Sequence, residues 1–262
     1  MLPFEIPRPA PLIRGTLIQR YKRFMADVKL DTGETVTAHC VNTGAMEGLT
    51  RPGTRVWLSR ADNPARKLQF TWELAEVWGG ILGVNTSLPN RVVGELLKER
   101  ALSGLTRWQE LRPEKVYGER SRVDFWMRIA GREHYLEVKN CHLVYPDARA
   151  YFPDCVSERA AGHLRELAAV LSKGASAEVL FFVQIPGVKA VRPSDVHDPA
   201  FAAAAREAAT AGVKFTALEV RHTPDRIVVE RKLPVDLKPY STEPVAGWRT
   251  EWLGLRGTPL NP

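Results

Sequence analysis

The hydrophobic and polar positions change period along this chain, and the changes mark its organisation. Leu17–Arg20, Phe24–Leu30, Thr35–Val41 and Arg55–Ser59 read as short strands, separated by Asp31-Thr32-Gly33 and Arg51-Pro52-Gly53; Trp72–Val77 adds a fifth. Close-spaced short strands of this kind predict a small β-barrel over residues 1–82. The glycines at 79, 80 and 83 and the Asn85–Pro89 turn read as a linker. A mixed α/β portion then spans 83–237. Asn90 is the expected cap of a helix running to about Arg100, with Val92, Val93, Leu96 and Leu97 as its buried stripe. Trp108–Tyr117 reads as one or two strands broken at Arg112-Pro113.

A helix capped by Ser157 and stopped by Gly174, the apolar strand Glu178–Ile185, and a helix with Asp198 as cap, Pro199 in its first turn and Gly212 at its end follow in order. Lys214–Arg221 and Arg226–Leu233 predict a further hairpin. From Pro234 periodicity is lost, so 238–262 reads as an irregular tail, part of which packs on the body through Trp248, Trp252 and Leu253.

The centre of the pattern is a hairpin. Val123, Phe125, Met127 and Ile129 alternate with Asp124, Trp126 and Arg128, and Tyr135–Lys139 resumes the alternation after a turn containing Gly131. A turn centred between Ala130 and Gly131 sets Asp124 opposite Glu137, with Lys139 on the same face. Carboxylates so paired, with Cβ atoms roughly 5 Å apart, repel unless a cation lies between them. The arrangement suits a hard divalent ion with a neighbouring ammonium to orient a water or stabilise developing negative charge. A structural ion-pair network is the competing reading.

Composition narrows the rest. The chain has 262 residues, 44% of them hydrophobic, and a net charge of +7, which favours a polyanionic partner without requiring one. The excess is spread along the chain, so a basic patch must come from folding. Arg20, Lys22, Arg23, Phe24, Arg55, Arg60, Arg66 and Lys67 are the barrel's candidate nucleic-acid contacts, against the alternative of a solvated rim with Phe24 in the core. Arg159, His163 and Glu166 share one side of their helix, which faces either solvent or the acid cluster; in the second case Arg159 and His163 can contact a phosphate. The three cysteines lack zinc-site spacing, so His39 and Cys40 read as a packed strand end and the compartment as the cytoplasm. No apolar run long enough for a membrane span is present.

Asp124 followed by Glu137-Val138-Lys139 resembles the Asp…Glu-x-Lys signature of the restriction-endonuclease-like (PD-(D/E)XK) nucleases. Ser121–Phe125, Glu137–Lys139, Tyr151–Asp154, Gly162–Leu167 and Ala38–Gly44 together resemble the sugar fermentation stimulation protein (SfsA) family. The resemblance implies an OB-like barrel followed by a restriction-endonuclease-like αβββαβ domain. It further implies magnesium or manganese held by Asp124 and Glu137, with Lys139 assisting water attack and Glu95 joining the site; on pattern alone Glu95 is a surface residue. The expected function is a nucleic-acid-binding, metal-dependent nuclease. The alternative is a non-specific DNA-binding regulator of sugar (maltose) metabolism without significant cleavage. DNA is favoured over RNA as partner, no membrane is expected, and the oligomeric state stays open, a homodimer included.

Overall fold

The structure, a computed structural model, describes residues 2–77, 79–117 and 121–254, the last three without their side chains. The barrel is built from β2 (Ile13–Tyr21), β3 (Met25–Leu30), β4 (Thr35–His39), β5 (Arg55–Arg60) and β6 (Phe70–Val77), on an antiparallel path that a short parallel β4–β6 pairing closes. Leu17, Ala26, Val28, Val56, Leu58 and Trp72 fill it. These are the alternating inward positions that a closed small barrel requires. The barrel is thus an N-terminal OB-type unit on a mixed α/β body, as the strand pattern and resemblance implied.

Two departures concern the ends of this unit. β1 (Phe4–Pro7), in the stretch assigned to the barrel, pairs instead with β16 (Arg226–Leu233) at the edge of the body's large sheet. A pairing between the two ends of the chain leaves no local signal. The second departure is β7 (Gly80–Gly83), read as linker, which adds to β6 as an antiparallel strand. Its glycine is needed there: a Cβ at Gly83 would overlap Gln184 Oε1 and lie 2.6 Å from His222 Nε2.

Among the described residues the body carries a seven-stranded sheet. Besides β1 and β16 it contains β8 (Trp108–Tyr117), β9 (Ser121–Ile129), β10 (Arg132–Cys141), β13 (Ser176–Val183) and β15 (Lys214–His222). Their order is β1-β16-β15-β13-β10-β9-β8, with β10, β13 and β15 parallel. β11 (Leu143–Val144), β12 (Arg149–Phe152) and β14 (Ala190–Pro193) form a small second sheet. β8 is one strand rather than two, because it lies at the sheet edge, where Pro113 costs no ladder bond to a further neighbour.

Helix α1 (Leu88–Lys98) covers one face of the large sheet, while α2 (Glu158–Leu171) and α3 (Pro199–Ala211) cover the other. α1 docks through Val92, Val93, Leu96 and Leu97, all fully buried and each worth roughly 1.5–3 kcal/mol. It begins at a Ser87 cap that makes no side-chain bond, three residues before the expected cap, so Asn90 lies inside its first turn. The other two helices have the expected caps, with Ser157 accepting from Ala160 N–H and Asp198 from Phe201 N–H. The tail also departs from its reading: Glu243–Gly254 is a helix, α4, held by buried Val245 and by Trp248 against Tyr145 at 6.1 Å between ring centroids. The side chains of Trp252 and Leu253 lie outside the described residues.

Candidate active site

The hairpin forms in the expected register, turning at Ala130 and Gly131, both at positive φ. The ladder stops at Leu136–Phe125, one pair short of Glu137 and Asp124. There the Asp124 side chain replaces the backbone: its Oδ2 accepts from Val138 N–H at 2.7 Å and its Oδ1 accepts from Asn90 Nδ2 at 2.7 Å. Asp124 is therefore fixed by β10 and by the first turn of α1 together.

Alternation along β10 sends Leu136 and Val138 into the core under α1, and Tyr135 and Cys141 into the core under α2. Glu137 and Lys139 consequently point toward α2. Glu137 is 4% exposed, and its Oε1 accepts from Lys139 Nζ at 2.6 Å and from His163 Nδ1 at 2.8 Å. Arg159 Nε donates to His163 Nε2 at 3.4 Å, so the imidazole proton sits on Nδ1, facing the carboxylate. Among the described residues, Oε2 of Glu137 is buried without a hydrogen-bond partner, as are Glu166 Oε2 and the Tyr117 hydroxyl.

The charges reflect this crowding. Burial and the neighbouring Glu137 charge push the Asp124 carboxyl up to about 6, against the opposing pull of Val138 N–H, Asn90 and Lys139. Burial also pushes on Glu137, but Lys139 and His163 outweigh it and hold that carboxyl below its usual range. Tyr117 is raised by burial and by the charges of Glu137, Glu166 and Asp124. Among the described residues no group of three or more His, Cys, Asp or Glu closes into a metal cage, so a cation here would rely on the two acids, water and a ligand's own oxygens.

Above the cluster opens a cavity of about 430 Å³ between the two structural units. Its walls include Asn42–Gly44 of the barrel and His142, Asp154 and Arg159 of the body. Asp154 joins the two sides. Its Oδ2 lies 3.4 Å from His142 Nε2, and despite burial, the adjacent His142 imidazole and the Met46 backbone hold its carboxyl far below the usual range. A Cβ at Gly44 would come within 3.0 Å of the same oxygen. A smaller recess continues from Asp124 and Glu137 to Glu114 and Arg122.

Of the residues singled out in the sequence, Asp124, Glu137, Lys139, Arg159 and His163 converge here. The polar side of α2 thus faces the acids, not solvent. Glu95 does not converge: it projects away from the cavity, half exposed, and pairs with Lys98 at 2.8 Å. Asn90 takes the place on α1 that Glu95 was expected to hold. Arg23 lines the cavity, with its guanidinium on Thr43 O at 2.7 and 2.9 Å. Arg20 braces the same loop by donating to the carbonyls of Arg23, Asn42 and Gly44, which makes it a support. Lys22 sits in the β2–β3 turn at φ 48° and Phe24, 46% exposed, stands outside the core. Arg55 pairs with Glu76 at 3.7 Å, Arg66 contacts His39 at 3.4 Å, Lys67 is exposed, and Arg60 lines a separate cleft.

A model described as the sugar fermentation stimulation protein RE domain matches residues 87–226, and one described as the SfsA N-terminal OB domain matches residues 18–84. The chain belongs to the SfsA family. A sugar fermentation stimulation protein homolog of Geobacter sulfurreducens is 46% identical over 227 residues, covering 87% of this chain and 97% of that one. One from Pseudomonas savastanoi pv. phaseolicola is likewise 46% identical over 227 residues, covering 86% and 96%. The solved structure of Pyrococcus furiosus SfsA in complex with Ca2+ superposes with a TM-score of 0.81 at 25% identity, over 90% of this chain and 99% of that one.

Sequence reasoning missed several polar residues of this SfsA chain's cavity, among them Asn42, Asn90, His142 and Asp154. Asn90 has the composition signal of a cap, and Asp154 lies within a stretch that carries the SfsA resemblance without showing a role. Only the closure of barrel on body brings them together. Among the described residues no helix is long and apolar enough to cross a membrane.

Proposed function

We propose that the protein is a divalent-metal-dependent phosphodiesterase acting on nucleic acid, with Asp124 and Glu137 as the acids that hold the ion. The observation that carries the reading is Glu137 Oε2, a buried carboxylate oxygen with no hydrogen-bond partner among the described residues, beside a second acid whose proton is retained up to about pH 6. Buried anions of this kind are stable when a cation completes them. The residues present fit magnesium or manganese, which bind through one or two carboxylates and keep water in their remaining positions. The description of the Pyrococcus relative as a Ca2+ complex supports the same assignment.

A bound divalent ion supplies Lewis-acid polarisation of a phosphodiester and a more acidic water. The chain's own groups do the rest. Asn90 and Val138 N–H fix the direction of Asp124. Lys139, held on Glu137 Oε1, places an ammonium at the cavity floor, where it can orient a water or balance charge developing on phosphate oxygens. Arg159 offers its guanidinium from the wall, while His163 keeps Glu137 in place. The barrel adds affinity through its basic rim and the exposed Phe24.

The second reading is a binding protein with a role in sugar metabolism and no significant cleavage. It is favoured by the relatives' names and by the Lys139–Glu137 ion pair, which neutralises one acid from within the chain. Incubating labelled single- and double-stranded DNA and RNA with the protein in magnesium, manganese or chelator separates the two. Metal-dependent cleavage supports the first; binding without cleavage under every condition supports the second.

A further inference from the structure

A second cleft, of about 490 Å³, lies around the corner of α1 from the first. Asn90 faces the acid cluster, and Arg91, the next residue, lines the second cleft together with Arg8 and Arg60. Three elements thus bring three guanidinium groups to one depression: the segment before β2, the end of β5, and α1. Among the described residues neither Arg60 nor Arg91 has a side-chain hydrogen bond or ion pair. Arg8 uses Nε on Thr223 O at 3.0 Å and Nη2 on His222 Nδ1 at 3.3 Å.

The acids nearby do not satisfy these groups. Glu73 is committed to Ser59 at 2.7 Å and Asn85 at 2.9 Å, and Asp62 is exposed. Burial lowers Arg8 to about 10 and the Arg91 charge adds to it, against the opposing pull of Glu73 and Asp225. The opposite wall, with Pro9, Pro11 and Leu12, is apolar and suits a sugar or base edge. Between the clefts the first turn of α1 carries no acidic residue, and its Ser87 cap makes no side-chain bond, so that turn adds no charge that repels a phosphate.

We propose that the second cleft holds backbone phosphates of the same nucleic-acid strand that enters the first, the strand crossing the N-terminal turn of α1 between Asn90 and Arg91. This rests on the nucleic-acid reading above and extends it: the substrate class is a strand long enough to occupy both clefts, and Arg60 and Arg91 are phosphate contacts away from the reacting bond. Arg8 is the fixed base of the cleft, tied to the last turn of the β15–β16 hairpin.

The test is fluorescence anisotropy in calcium with labelled single strands of DNA and of RNA, from about three to about twelve nucleotides long, the range of OB-type sites. The parent is expected to gain affinity with length up to the span of both clefts. Arg60→Gln combined with Arg91→Gln is expected to lose that gain, binding the longest strand about tenfold more weakly, with the slope of log K against log salt shallower by about 1.4, two contacts at about 0.7 each. Both side chains are exposed, so the variant's melting temperature should match the parent's. Lys29→Gln, which removes an exposed barrel charge outside both clefts, should leave the length dependence intact. If the double variant binds long strands as the parent does, with the same salt slope, the second cleft is not a phosphate site, while metal-dependent cleavage by the parent would still stand. If the parent binds no strand of any length, the inference falls together with the nucleic-acid reading.

Discussion

Removing the Asp124 charge should make the metal-free protein more stable and the metal-loaded protein less so. In Asp124→Asn the new side chain keeps an oxygen for Val138 N–H, and Asn90 must turn its amide to offer an oxygen in place of its Nδ2. In the parent, burial and Glu137 raise the Asp124 carboxyl from an ordinary value of 3.8 to about 6. The folded chain then binds that proton more tightly than the unfolded one, so stability falls as pH rises from about 4 through about 6, and above that the whole penalty is present. At about 1.4 kcal/mol per pH unit the penalty is about 3 kcal/mol, which partial exposure reduces to about 2 kcal/mol. Turning the Asn90 amide takes back about 1 kcal/mol.

In chelator near pH 7.5 the variant should therefore gain about 1 kcal/mol over the parent in urea unfolding, with the difference shrinking as pH falls and passing to about 1 kcal/mol in the parent's favour below about pH 4. With magnesium or manganese at about a hundred times its dissociation constant, the parent should gain about 2.7 kcal/mol and the variant little, so that their order reverses. A variant less stable than the parent in chelator at neutral pH would refute the electrostatic reasoning. Equal metal stabilisation of both would place the ion elsewhere.

Glu95→Gln should leave metal stabilisation, binding and any cleavage unchanged in the same assays, because Glu95 meets only Lys98 and the small loss is that of an exposed ion pair, below about 1 kcal/mol. Gly83→Ala should cost about 1–3 kcal/mol in urea unfolding, since its Cβ must displace Gln184 and His222 at the seam between barrel and body. Affinity for long strands should fall steeply with salt and show little sequence preference, measured by anisotropy across a salt series, because the candidate contacts are arginines suited to phosphates.

What the sequence made legible is what neighbours in the chain decide. Asp124, Glu137 and Lys139 share a face because two short strands and a two-residue turn fix their register, and all of that information lies within the hairpin itself. The caps at Ser157 and Asp198 were legible for the same reason. Non-local pairing was not. β1 looks like a proline-rich lead until β16 lies beside it, and Gly80–Gly83 looks like a linker although Gly83 serves a close approach to residues from the other unit. Helix α1 starts earlier than its best capping residue suggested, and that offset moves Asn90 into the site and leaves Glu95 outside. α4 lacked a signal because Pro244 and Gly247 disguise a helix held by Val245 and Trp248 against the body.

The most direct measurement is single-turnover cleavage of a labelled strand in manganese by the parent and by Lys139→Met, with the metal-induced rise in melting temperature recorded for both. Methionine keeps the aliphatic stem of a side chain that is 11% exposed and removes only the ammonium on Glu137. Lys139 cannot bind a cation, so it should matter to chemistry rather than to metal affinity. The account predicts a parent that cleaves, and a variant that folds, keeps the metal-induced rise and cleaves at least about a hundredfold more slowly. A variant that cleaves as fast as the parent, or a parent that cleaves no nucleic acid in either metal, would contradict it.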